Sequence, residues 1–137
     1  MRIIEIEKLF AKRAGQTKYN NIKLEEHEIN TLMLLNGFGY DIEALRPMNT
    51  PNLNNPDIVM QGSIWEIKAP RSYNQKTLKE RIRKASRQAN KVIFDLRMIG
   101  QNRLEARDYL IQLFEGNSHM KRMFIIIDEE KILDIIK

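Results

Sequence analysis

Pro56-Asp57-Ile58-Val59-Met60-Gln61-Gly62-Ser63-Ile64-Trp65-Glu66-Ile67-Lys68 is the stretch on which the fold turns. Two β-rich runs, Asp57 to Met60 and Ser63 to Lys68, flank Gln61-Gly62, a two-residue spacing that predicts a tight hairpin. Side chains alternate along a strand, so Glu66 and Lys68 share one face while Trp65 and Ile67 point the other way, into the core. The hairpin folds Asp57 back beside that strand, and two acids and an ammonium converge at one end of a sheet. Two carboxylates at such range repel unless a divalent cation lies between them, and hard oxygen donors suit Mg²⁺ or Mn²⁺. Lys68 is then placed to hold or deprotonate a water, or to stabilise charge building on a phosphate. An Asp in a turn and a Glu-x-Lys alternation also occur on exposed strands that do no chemistry, so the three residues alone leave both readings open.

The segment after the hairpin favours chemistry on an anion. From Lys68 to Lys91 there are nine Lys or Arg residues and one acid, Glu80, a local charge of +8 in a chain whose net charge is +5. The rest of the sequence is therefore slightly acidic, and the basic excess is a patch rather than a general property. A local block of this kind suits nucleic acid, the alternative being a solvated helix face. Lys76 to Ala89 places Leu78, Ile82, Ala85 and Ala89 on one helical stripe and Lys79, Arg83 and Arg87 on another, an amphipathic basic helix. Tyr73, in the loop before it, is the candidate for stacking on a base, whereas Trp65 faces away from Glu66.

Upstream, Leu24 to Leu35 carries apolar residues at helical spacing and stops at Asn36-Gly37, a helix C-terminal signal. Glu28 lies in the apolar stripe of this helix, where an unpaired carboxylate is costly to bury. It either reaches solvent at the stripe's edge or points toward a metal or cationic site. Glu25 and Glu26 read as first-turn acids favoured by the helix dipole, and His27 as exposed. Residues 1–23 are weakly patterned, an N-terminal extension with a short helix around Leu9, Phe10 and Ala14, leaving 24–137 as the main domain. Gly39 to Leu45 reads as a short strand, and the Pro- and Asn-rich segment Arg46 to Pro56 as a long loop. Downstream come a buried strand at Val92 to Phe94, a helix from Arg103 to Phe114 and paired strands at Arg122 to Asp128 and Lys131 to Ile136. The order α-β-β-β-α-β-α-β-β predicts an α/β (α+β) fold, a mixed central sheet flanked by helices.

Composition removes other classes. The 137 residues contain no Cys and only two His, His27 and His119, so disulfides, Cys-zinc sites, iron–sulfur clusters and thiol nucleophiles are excluded and imidazole sites restricted. No apolar run is long enough to span a membrane. Acids near Met1 interrupt any signal-peptide stretch, and the absence of Cys suits a reducing cytosol.

The segment from Asn55 to Pro70 resembles the PD-(D/E)XK nuclease core, in the form seen in the C-terminal tRNase domains of CdiA contact-dependent growth inhibition toxins. The likeness extends through Ile82 to Gln88, Val92 to Arg97 and Lys121 to Ile126, and back to His27-Glu28-Ile29 and Gly37 to Asp41. It implies a restriction-endonuclease-like core and a metal-dependent phosphodiesterase cutting tRNA in the cytosol, with Mg²⁺ (or Mn²⁺ or Zn²⁺) as cofactor. Carried over by position, Glu28, Asp57 and Glu66 would be the metal-binding acids and Lys68 the catalytic lysine. Arg71, Tyr73, Lys76, Arg83, Lys84, Arg87 and Gln88 would lie along the nucleic acid, Lys84 and Gln88 nearest the site. Relatives commonly have a Gly- or Lys-rich turn after the motif and Asn in the next helix, where this chain has Arg71-Ser72-Tyr73 and Glu80-Arg81. That difference bears on the substrate. DNA as substrate and a non-catalytic nucleic-acid-binding role are the alternatives. Toxin domains of this kind are delivered as the tail of a larger exported protein and neutralised by a cognate immunity protein, here expected to have an acidic surface. The sequence is compatible with an excised domain and with a free-standing relative.

Overall fold

The computed structural model describes residues 1–45 and 58–137. Asp57 and the Pro- and Asn-rich segment before it lie outside the described residues. The elements run β1 (Arg2–Glu7), a 3₁₀ turn (Lys8–Phe10), β2 (Thr17–Lys18), α1 (Glu26–Gly37), β3 (Ile42–Ala44), β4 (Ile58–Met60), β5 (Ser63–Lys68), α2 (Gln75–Gln88), β6 (Lys91–Asp95), α3 (Arg103–Glu115), β7 (Arg122–Ile126) and β8 (Lys131–Ile136). All eight strands form one mixed sheet in the order β1-β8-β7-β6-β5-β4-β3-β2.

The hairpin forms as its turn residues dictate. Ile58 pairs with Trp65 and Met60 with Ser63, and Gln61 and Gly62 both take positive φ, 54° and 74°. Two successive left-handed residues match the twist of the flanking strands, and glycine adopts this conformation without a Cβ penalty. Trp65 closes the hairpin from the side by donating its indole N–H to the Met60 carbonyl at 3.0 Å.

β5, β6 and β7 are parallel. The crossovers β5-α2-β6 and β6-α3-β7 step in the same direction along the sheet, so a common right-handed sense lays both helices on one face. Leu78, Ile82 and Ala85 of α2 and Ala106, Leu110 and Phe114 of α3 pack there with Val92, Phe94, Met123 and Ile125. On the opposite face α1 packs Leu32, Leu34 and Leu35 against Trp65, Ile67, Ile93 and Phe124, with the Trp65 and Phe124 rings tilted at a centroid distance of 4.7 Å. The result is three layers, helix, sheet and helix pair, as the alternation of elements predicts.

The first 23 residues differ from the expected extension. β1 pairs antiparallel with β8 from Arg2↔Ile136 to Glu7↔Lys131, and β2 pairs parallel with β3, so this segment supplies both edges of the sheet. Only a 3₁₀ turn forms at Lys8–Phe10, and Leu9 and Phe10 are exposed. Gly15 donates its N–H to the Asn36 carbonyl, and a Cβ there would lie 1.9 Å from the Tyr40 carbonyl oxygen. Glycine is what allows the N-terminal chain to approach the end of α1 so closely.

Candidate active site

The β5 alternation places Trp65 and Ile67 in the α1-side core and turns Glu66 and Lys68 to the α2 side. Both charged residues are buried, Glu66 at 0% and Lys68 at 6% exposure. A buried ion pair is a costly feature that ordinary strand packing does not require. Lys68 Nζ lies 3.4 Å from Glu66 Oε1. With its amide nitrogen oriented toward the carboxylate, Gln88 donates to both Glu66 oxygens, at 3.1 and 3.0 Å.

Burial pushes the Lys68 ammonium below the ordinary lysine pKa. Glu66 opposes that shift, and the charges of Arg81 and Lys84 add to it. An amine so placed is closer to giving up its proton than a surface lysine, which suits it to exchange a proton with a bound water.

Glu28 sits at the third position of α1 in a reciprocal capping box: the Glu25 side chain accepts from its backbone N–H, and its own side chain accepts from the Glu25 N–H at 2.9 Å. That engages Oε1. Among the described residues Oε2 is buried without a hydrogen-bond partner, and burial raises the Glu28 pKa. The carboxylate is therefore away from a solvated edge, with one oxygen satisfied by the Glu25 N–H and the other met by no donor among the described residues. Its contacts lie within its own first turn, where Glu25, His27 and Glu28 each bring one donor atom within 4.8 Å of the others. His27 is only partly exposed, with Nδ1 3.3 Å from Glu25 Oε2, a correction to the exposed position expected of it.

Beyond Lys68, a cavity of about 350 Å³ lies between the first turn of α1 and the start of α2, lined in part by Glu25, His27, Ala69, Pro70, Arg71 and Arg81. It brings the α1 N-terminus, which carries Glu28, to the same end of the sheet as the C-terminus of β5. The α1 helix is held there from behind. Thr31 Oγ1 donates to Asp95 Oδ2 at 2.6 Å, and Arg97 pairs with the same carboxylate at 2.9 Å. Asp95, buried at the end of β6, is thus already committed to structure.

The helix α2 sorts the remaining candidates. Its Asn74 cap accepts from the Thr77 N–H at 3.0 Å, and Arg71, Lys76, Lys84, Arg87 and Gln88 are exposed. The stripe of Lys79, Arg83 and Arg87 faces solvent, and Arg83 is paired with Glu80. The structure brings Lys84 and Gln88 to the Glu66–Lys68 pair and leaves Arg83 apart from it. Tyr73 packs part of its ring against the α2 core cluster and its hydroxyl accepts from Gln75 Nε2, which leaves less of the ring for stacking than a loop residue suggests. Arg81, absent from the basic stripe read in the sequence, is the cation whose charge reaches Lys68 together with Lys84.

Residues 54–132, more than half of the chain, match the family described as contact-dependent growth inhibition CdiA C-terminal domain. The chain belongs to that family. Among solved structures it is similar to a chain of the CdiA-CT/CdiI toxin and immunity complex from Burkholderia pseudomallei, with a TM-score of 0.65 and 16% sequence identity over 90% of this chain and 100% of that one. At that identity the likeness is one of fold. No curated protein matches the sequence. Among the described residues no helix is long and apolar enough to cross a membrane.

Proposed function

We propose that this CdiA C-terminal domain is a toxin of the PD-(D/E)XK nuclease type, a metal-dependent endoribonuclease that cuts tRNA. The observation that carries the reading is the buried Glu66–Lys68 pair at the end of β5, tied to Gln88 and flanked by Arg81 and Lys84. Burying a carboxylate and an ammonium side by side costs stability that a purely structural strand would avoid.

The donor set suits a hard divalent ion. Glu28 presents a buried carboxylate oxygen that no donor among the described residues satisfies, Glu66 is a second buried acid, and both offer oxygen, as Mg²⁺ or Mn²⁺ prefers. Glu28, Asp57 and Glu66 would hold it; when bound, such an ion supplies Lewis-acid stabilisation of charge on the phosphate and lowers the pKa of a coordinated water. The rest of the work falls to the chain. Lys68, its pKa depressed by burial, orients the attacking water and takes up or returns its proton. Gln88 fixes the Glu66 carboxylate by donating to both oxygens, and Glu66 in turn holds the Lys68 ammonium in place. Arg71, Lys76, Lys84 and Arg87 supply a basic face along which an RNA backbone is held by its phosphates and its A-form shape.

The relative from Burkholderia pseudomallei was solved with an immunity protein. By the same logic the basic face here is the surface an acidic immunity partner would cover, shutting the site by occupying the phosphate positions.

The test is direct. Purified protein incubated with total tRNA and Mg²⁺ yields discrete fragments on a denaturing gel; EDTA abolishes them, and so does Glu66→Gln, assayed at a temperature where circular dichroism shows the variant folded. Intact tRNA with cleaved DNA would keep the site and change the substrate, and no cleavage of either under Mg²⁺, Mn²⁺ or Zn²⁺ would leave a binding role.

A further inference from the structure

Thr77, Arg81, Lys84 and Gln88 are separated by four, three and four residues, which places them on one face of α2. This face is distinct from the Lys79, Arg83 and Arg87 stripe, and Arg81 is its half-buried member. Gln88 reaches the Glu66 carboxylate, Lys84 and Arg81 bear on Lys68, and Arg81 and Thr77 go on to line the cavity that opens at Ala69. The stripe thus runs from the reactive pair into the cavity.

The cavity is built for an anion. Arg71, Arg81, Ser72 and Thr77 line it together with His27 and Glu25, and it lies where α1 and α2 both begin, so the positive ends of two helices border it. Among the described residues the Arg81 Nε is buried with no hydrogen-bond partner, whereas Arg83 two residues on is already paired with Glu80. A buried guanidinium N–H is an unmet donor, and its planar fork matches a phosphate. Among the described residues the acid at the wall is Glu25, which is engaged by the α1 capping box and by His27. A cation would meet two arginines and two helix N-termini there, which disfavours it.

We propose that this cavity is a phosphate subsite next to the reacting phosphodiester, anchored by Arg81 with Arg71, Ser72 and Thr77 around it. The subsite takes a nucleic-acid backbone phosphate, and it rests on the nuclease reading for the identity of that substrate. Its role is to fix the register of the strand, so that the neighbouring phosphodiester lies at Glu66 and Lys68. A misplacement of about 1 Å there is enough to lower turnover substantially.

Inorganic phosphate titrated into the wild-type protein, followed by the Nε–Hε signals of the arginines in NMR spectra, shifts the Arg81 signal saturably and leaves that of Arg83 in place. A short RNA bound to the non-cleaving Glu66→Gln protein loses about tenfold in affinity when Arg81→Ala is added, with the salt slope reduced by about one. Arg81→Lys recovers part of the loss, and Arg83→Ala changes little. In the cleaving protein Arg81→Ala lowers kcat as well as raising KM, whereas Arg83→Ala moves neither. Phosphate that leaves the Arg81 signal unmoved, or an equal loss from Arg83→Ala, overturns the subsite. Wild-type cleavage with Arg81-independent binding sinks the subsite alone; Arg81-dependent binding without cleavage sinks the enzyme reading alone. The wild-type titration decides the matter even if Arg81→Ala does not fold.

Discussion

Lys68 concentrates the tension between stability and function in this chain. Its ammonium and the Glu66 carboxylate are both buried, so the attraction between them offsets part of the cost of burying each. Lys68→Met should therefore remove activity by at least about a hundredfold and cost about 3 kcal/mol in urea unfolding, by taking the ammonium from beside the buried Glu66 carboxylate. The double variant Glu66→Gln/Lys68→Met should regain most of that stability while remaining inactive; a double variant as unstable as the single one would show that the pair is not the source of the cost. Asp41 presents the opposite case. The Arg13 guanidinium and then the Gln16 N–H hold its carboxyl below the ordinary aspartate range, and both contacts tie the N-terminal segment to the chain just before β3. A depressed folded pKa contributes stability above the unfolded value of about 3.9, lost as pH falls through the folded one. Asp41→Asn should lower the Tm at neutral pH, and the gap from wild type should close below about pH 4, as thermal melts across pH would show.

Among the elements, α2 decides how the site is dressed. Its apolar stripe was legible because Leu78, Ile82 and Ala85 recur at helical spacing, and all three are buried. The charged residues were harder to sort, since periodicity tells which residues share a face but not what that face meets. Arg83 belongs to the most regular basic stripe and lies in solvent, while Arg81, on the boundary between stripes, turns toward Lys68. A usable signal was present: the family resemblance points to Lys84 and Gln88, and counting toward the N-terminus along their face gives Arg81 and Thr77. The helix start is fixed by Asn74, whose side chain accepts from Thr77. Asn74→Ala should cost about 1 kcal/mol in urea unfolding and, by loosening the first turn that carries Thr77, weaken RNA binding more than a distant destabilising change of equal size would.

Over the molecule as a whole, charge is asymmetric in a way that one assay can read. The nine bases between Lys68 and Lys91 fall on β5, the loop after it, α2 and the start of β6, one side of the sheet end. If about five of them neutralise phosphates, the logarithm of RNA affinity should fall against the logarithm of salt with a slope of about −4. A slope near zero would mean that the basic face does not carry the binding. The sheet also proves larger than the local pattern suggested. β1 is a short run of isoleucines and charges with none of its residues fully buried, and what makes it a strand is pairing with β8 from the other end of the chain.

The hairpin, the order of the nine central elements, the α2 core stripe and the shared face of Glu66 and Lys68 could all be read from the order of amino acids, because each rests on a local rule of turn geometry or side-chain periodicity. Folding in three dimensions added that this face is buried, that Gln88 clasps Glu66, that Glu28 keeps an oxygen that no described residue satisfies, and that Arg81 rather than Arg83 meets the site. Those facts depend on how a parallel crossover lays α2 across β5 and where α1 begins against the sheet. Such contacts join residues far apart in the chain, and no local period encodes them.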